Sequence, residues 1–210
     1  MSIYTPRAFS VPDEAAVARL IELHPFATLI TPGETEPQVS HLPLQYQALP
    51  DNKGVLLGHM ARANPHWQHF VGRNSVAVFH GPHTYVSPSW YADPAHAVPT
   101  WNYAVAHVHG AAELMADPAE TRALLDDLVN RYEGGRAKPW HLQLEGRELA
   151  AMLEAIVGFR LTIERIDTKF KLSQNRSADD RERVITALRG ERYAEADATA
   201  DWMDRYARER

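Results

Sequence analysis

From residue 26 onward the chain is a succession of short β-like runs joined by Gly- and Pro-marked turns, and this spacing narrows the fold more than any other feature. FATLIT at 26–31, QVSHLPLQY at 38–46, GVLLGHM at 54–60, SVAVFH at 75–80 and HTYVS at 83–87 are short and rich in residues that suit a pleated surface. TPGETEP and LPDNKG punctuate them. Two further runs follow, AVAHVHGAAELM at 104–115 and FRLTIERI at 159–166, the latter with Phe159, Leu161, Ile163 and Ile166 nearly alternating. Short strands linked by short turns predict an antiparallel β-barrel, since neighbouring antiparallel strands can be joined by tight turns.

Helical signals are set into this pattern. Ser10 or Asp13 offers a cap for a helix through about His24, with Ala16, Val17, Leu20, Ile21 and Leu23 as its apolar stripe and Pro25 as its end. Asp117, Pro118 and Glu120 combine an acceptor cap, a first-turn proline and a capping-box acid ahead of Leu124, Leu125, Leu128 and Val129, which predicts a helix over 118–133. After GGRAKPW breaks it, RELAAMLEAIVG resumes helical periodicity and predicts a helix that stops at Gly158. Ser177 with Asp180 marks another start, with Val184, Ile185 and Leu188 as its apolar face. Residues 191–210 carry mixed charge with Tyr193, Trp202, Met203 and Tyr206 as sparse anchors, and read as a solvated or partner-bound helix. The expectation is an α+β fold, with a barrel over 1–176 that carries inserted helices and a C-terminal helical extension of the same unit over 177–210.

Composition excludes several function classes. At 210 residues and 45% hydrophobic content the chain can bury one substantial core, and two large independent domains are not expected. A net charge of -5 lacks the broad basic footprint of a protein that grips nucleic-acid phosphates. With no cysteine, neither disulfides, thiolate metal sites nor a cysteine nucleophile can occur. No uncharged apolar stretch approaches the length of a membrane span, so a soluble cytoplasmic protein is the expectation.

The chemistry-bearing residues fall in three segments. Between Gly81 and Gly110, Tyr85, Trp90, Tyr91, Trp101 and Tyr103 lie close together among Ser87, Ser89, Thr100 and Asn102. Such amphipathic rings suit a planar hydrogen-bonding ligand or a subunit interface, and equally a packed Pro-rich loop. In GHMARANPHWQHF, residues 58–70, Asn64 and Pro65 open a short helix beside Arg62, a combination that suits an anion; a solvated surface arginine is the plainer reading. In KFKLSQNR, residues 169–176, an extended chain would place Lys169, Lys171 and Ser173 on one face, where they can donate to a phosphate or a heteroaromatic rim. The histidines number 11, with His107 and His109 on one strand face and His66 and His69 on one helical face, yet no spaced ligand motif accompanies them and no metal is expected. GxSxG, Walker-type and GxGxxG loops are missing from the sequence.

Arg62 after a strand, the ANPHW turn, YVSPSWY, VPTWNY followed by VHG, and KLSQNR, in this order, resemble the PaiB-type family of FMN-binding negative transcriptional regulators. The resemblance runs from YTPRAF to KLSQNR and the helix after it. It implies an antiparallel split β-barrel related to pyridoxamine-phosphate-oxidase-like flavoproteins, a homodimer with FMN at the subunit interface, and a role in repressing genes. It also implies that the strand and turn of His59, Met60, Arg62 and Asn64 run beside the ribityl phosphate, with Arg62 as the charged contact. Tyr85, Ser87, Trp101 and Asn102 would approach the isoalloxazine or the facing subunit, and Lys171, Ser173 and Gln174 complete the set.

No catalytic acid or base is assigned. An FMN-dependent oxidoreductase and a haem-binding barrel using His107 or His109 are the alternatives, as is a cofactor-free regulator with the aromatic cluster at its dimer interface. DNA stays open as a partner, but neither charge nor a helix-turn-helix motif supports direct contact.

Overall fold

The structure is a computed structural model in which residues 3–10, 14–50 and 52–206 are described. Asp13, expected as a cap, and the last four residues of the expected C-terminal helix lie outside them. The elements are α1 (Glu14–Leu23), β1 (Phe26–Thr31), β2 (Gln38–Pro43), β3 (Gln45–Leu49), β4 (Asn52–Ala61), β5 (Asn74–Val86), β6 (Thr100–Leu114), α2 (Pro118–Glu133), α3 (Gly146–Glu154), β7 (Ile156–Lys171), α4 (Ala178–Gly190) and α5 (Ala194–Tyr206). One sheet of seven strands has the order β2-β1-β5-β6-β7-β4-β3. The β1–β2, β1–β5, β3–β4 and β4–β7 ladders are antiparallel. Among the described residues no helix is long and apolar enough to cross a membrane.

The chain divides into two units. The first comprises Met1–His24, Phe79–His107 and Asp167–Arg210; the second comprises Pro25–Val78 and Val108–Ile166. In the second, strand alternation sends Leu29, Leu42, Leu56, Met60, Phe159 and Leu161 into the core. Phe70 packs on Phe159 with ring centroids 5.2 Å apart. Gly110 lies so close to the Thr162 carbonyl that a Cβ would overlap it, which is why no larger residue fits there.

In the first unit, α1, α4 and α5 bury Leu20, Ile21, Val184, Ile185, Leu188, Trp202 and Met203. A Cβ at Gly81 would meet Leu20 of α1 and Ala104 of β6, so glycine lets these elements approach. Trp202 packs on Phe170 at 5.1 Å, Tyr206 at 5.0 Å and His24 at 6.0 Å. The C-terminal helix, expected to be solvated or partner-bound, instead packs on its own chain: α5 buries Ala196, Thr199, Ala200, Trp202 and Met203 along one side. Its sparse apolar residues recur at helical spacing, and that is enough to dock a short helix.

Three boundaries also differ. The run at 38–46 divides at Leu44, whose N–H bonds to the Pro25 carbonyl at 2.9 Å while its side chain is buried. The runs at 75–80 and 83–87 are one strand, β5, passing through Gly81 and Pro82. The helix expected to reach Gly158 ends at Glu154, because Ile156, Val157 and Gly158 pair with Ala61, Met60 and His59 of β4. Helical periodicity in RELAAMLEAIVG was continued by apolar residues that tertiary pairing recruits to a strand.

Candidate functional site

In the second unit β4 ends in a turn closed by the Asn64 N–H on the Ala61 carbonyl, 2.9 Å. Arg62 sits inside this turn and is fixed from several directions. Its N–H donates to the Ala155 carbonyl at 2.8 Å, its Nε to Glu154 O at 2.5 Å and its Nη2 to Ile156 O at 2.8 Å. Trp67 Nε1 donates to the Arg62 carbonyl at 3.1 Å. The side chain is exposed, no carboxylate among the described residues pairs with it, and a guanidinium has five N–H donors. Arg62 is thus an oriented cation with donors to spare. Beside it a pocket of about 310 Å³ is lined by Met115, Thr121, Leu153, Ile156 and Gly158.

Asn64 caps the short 3-10 turn Pro65–His69 as its sequence predicts, Oδ1 accepting from the His66 N–H at 3.1 Å. Its Nδ2 donates to Ser40 Oγ at 3.0 Å. His66, only 1% exposed, lies between two hydroxyls, with Nδ1 2.8 Å from Ser40 Oγ and Nε2 2.8 Å from Thr31 Oγ1. Thr31 Oγ1 is 2.7 Å from Ser75 Oγ. Burial, followed by the neighbouring His69, pushes the His66 pKa down to about 4, so the ring is neutral near pH 7. His59 is half-buried; its Nδ1 has no hydrogen-bond partner among the described residues, and burial lowers its pKa. Met60 points into the core.

In the first unit a different group gathers. Strand alternation puts Tyr85, Trp101 and Tyr103 outward, away from the buried Val86, Asn102 and Ala104. Tyr85 (41% exposed) and Trp101 (54% exposed) meet edge to face, with centroids 6.3 Å apart. Lys171, at the end of β7, donates to Thr100 Oγ1 and, at 2.6 Å, to the Trp101 carbonyl. Burial, then the like charges of Lys169 and Arg176, lower its pKa. Lys169 lies 5.3 Å from the Tyr4 ring centroid and 5.5 Å from that of Tyr103. The result is a face of exposed rings bordered by ammonium groups.

The remaining expected residues serve the chain itself in this structure. Asn102 Nδ2 donates to Ser173 Oγ at 2.9 Å and Ser173 Oγ donates back to Asn102 Oδ1 at 3.2 Å, both side chains being buried. Ser173 adopts a left-handed φ of 65°, which breaks the strand alternation expected to align it with Lys169 and Lys171. Gln174 folds back, Oε1 accepting from the Leu172 N–H at 2.7 Å and Nε2 donating to the Phe170 carbonyl at 2.6 Å. Ser87 caps the turn Pro88–Trp90 by accepting from the Ser89 N–H at 3.2 Å. Hence Tyr85, Trp101 and Lys171 are brought together at the surface, Asn102, Ser173 and Gln174 brace the turn beneath, and His59, Arg62 and Asn64 form a separate group in the other unit. Tyr4 and the His66 relay were missed. Tyr4 is far from its partners in sequence, and the helical spacing of His66 and His69 carries no sign of Thr31 or Ser40.

A sequence model of the family described as "Putative FMN-binding domain" matches residues 3–165. The chain is 34% identical over 205 residues to Protease synthase and sporulation protein PAI 2 of Bacillus subtilis (strain 168), covering 96% of this chain and 97% of that one. Among solved structures, the flavocytochrome Anf3 from Azotobacter vinelandii matches with a TM-score of 0.59 at 17% identity, over 80% of this chain and 72% of that one. The FAD and heme binding protein from Mycobacterium smegmatis matches with a TM-score of 0.59 at 18% identity, over 82% and 78%. These two likenesses bear on the fold, which is the α+β antiparallel split barrel expected from the strand spacing and the ordered motifs. The match across residues 3–165 and the identity along nearly the whole chain assign the protein to the PaiB-type FMN-binding family.

Proposed function

We propose that the protein is a homodimeric FMN-binding regulator that acts negatively on gene expression. The observation that carries the flavin reading is the exposed Tyr85–Trp101 pair with the Lys171 ammonium fixed at the Trp101 carbonyl. Paired exposed rings offer a flat apolar surface to a planar ligand, and a cation at their border suits the polar rim of an isoalloxazine. In the other unit, and as a separate observation, Arg62 offers a cation suited to a phosphate: its Nε and Nη2 are held by the Glu154 and Ile156 carbonyls and no carboxylate among the described residues pairs with it. Bound flavin supplies electron-transfer chemistry that side chains lack. The regulatory role rests on the resemblance to the PaiB-type family of negative transcriptional regulators, whose ordered motifs this chain carries. DNA stays open as a partner, although α5 exposes Glu195 and Asp197, which would repel its phosphates.

Titrating the apoprotein with FMN and following flavin fluorescence tests this reading. The wild type should quench the flavin, and Arg62→Ala should weaken uptake by about 1.5–3 kcal/mol, the usual worth of a charge-assisted hydrogen bond. Trp101→Ala should weaken uptake while leaving the thermal midpoint nearly unchanged, because the ring is largely exposed. Flavin that stays free in the presence of excess wild-type protein would sink the proposal.

A further inference from the structure

His66 is a buried polar side chain in a place where an apolar one would pack at no desolvation cost. Its partners come from different strands: Thr31 from β1, Ser40 from β2, and Ser75 of β5 beyond Thr31. Donor and acceptor counting fixes the proton. Ser40 Oγ already accepts from Asn64 Nδ2, so its own hydrogen needs an acceptor, and the one within reach is His66 Nδ1. The ring therefore carries its hydrogen on Nε2 and donates it to Thr31 Oγ1. With this tautomer the series Thr31, His66, Ser40, Asn64 is satisfied at each of these contacts. With the other, the Ser40 hydroxyl hydrogen has no acceptor.

The series ends at Asn64, whose two side-chain atoms are both held, one by Ser40 and one by the His66 backbone. Asn64 in turn closes the turn that contains Arg62. We propose that His66 is a positioning residue for the phosphate of the flavin: through Ser40 it locks Asn64, and through Asn64 it sets the turn that presents Arg62. This rests on the reading of Arg62 as the phosphate contact. Positioning of this kind matters because a charged donor displaced by about 1 Å loses most of its directional hydrogen bond. A purely structural role predicts something different. It would affect every ligand of the fold alike, whereas a role in presenting Arg62 affects only ligands that carry the phosphate.

The experiment compares FMN with riboflavin, which has the same ring and lacks the phosphate. Dissociation constants are measured by flavin fluorescence for the wild type, Ser40→Ala and His66→Leu. Ser40→Ala removes a single oxygen and keeps the inference testable if His66→Leu does not fold. The wild type should prefer FMN; the variants should lose about tenfold in FMN affinity, equivalent to ~1.4 kcal/mol, with riboflavin affinity unchanged. FMN affinity that does not move, or FMN and riboflavin affinities that fall together, would overturn the positioning role. A wild type that binds flavin without preferring FMN would instead refute the phosphate reading on which it rests.

Discussion

Acidification should remove a specific part of this protein's stability, and the part belongs to His66. An unfolded histidine titrates near 6.5, whereas burial holds His66 at about 4 in the folded chain. Between these values the unfolded state takes up a proton that the folded state refuses. Stability is then fully present above about pH 6.5 and is lost as the pH falls toward 4. From about pH 7.5 to pH 4.5, two-state linkage with these constants gives a loss of about 2.5 kcal/mol from this group alone. His24 and His59 are lowered in the same direction, with burial as the main cause, so the total loss in the wild type should be larger. The His66 share is isolated by difference. Urea unfolding of wild type and His66→Gln at both pH values gives the two changes, and glutamine, which does not titrate, should reduce the acid loss by about that amount even though it lowers stability at neutral pH. An equal pH dependence in the two proteins would refute the neutral, hydroxyl-bonded imidazole and the tautomer drawn from it.

Two further outcomes concern the first unit. Trp202→Ala removes the ring that Phe170, His24 and Tyr206 all contact, and should lower stability by about 3–5 kcal/mol in chemical denaturation; a loss under about 1 kcal/mol would mean that α5 is not docked as described. Asn102→Ala leaves the buried Ser173 hydroxyl without its partner and should cost about 1–3 kcal/mol, with Asn102→Ala/Ser173→Ala recovering part of that loss; if the double variant is as unstable as the two single losses added, the reciprocal pair does not exist.

Much of the scaffold was legible because its signals are local. FATLIT coincides with β1, Asp117 caps α2 through the Ala119 N–H, and Ser177 caps α4 through the Asp180 N–H, each of these depending on a few neighbouring residues. Errors arose where distant residues decide the outcome. Leu44 leaves its strand because its N–H bonds to Pro25, and Ile156 joins a strand because Ala61 lies opposite. The candidate site divides along the same line. The residue types that suit FMN could be read from the order of motifs, but a linear string does not tell whether Gln174 reaches outward or folds back on Phe170, nor that Asn102 and Ser173 are buried against each other. The positive φ of Ser173 is hidden for the same reason, since serine carries no local preference for that conformation.

The clamp around Arg62 makes charge and shape separable at that position. Its Nε and Nη2 bridge the carbonyls on either side of Ala155, where α3 gives way to β7. A lysine would keep the positive charge but has one terminal nitrogen on a flexible stem, and cannot reproduce two donors held in a fixed planar fork. Even with no anion present, then, the joint between helix and strand discriminates between the two basic residues. Position 62 asks for a guanidinium twice, once from inside the protein and once from the ligand proposed for it.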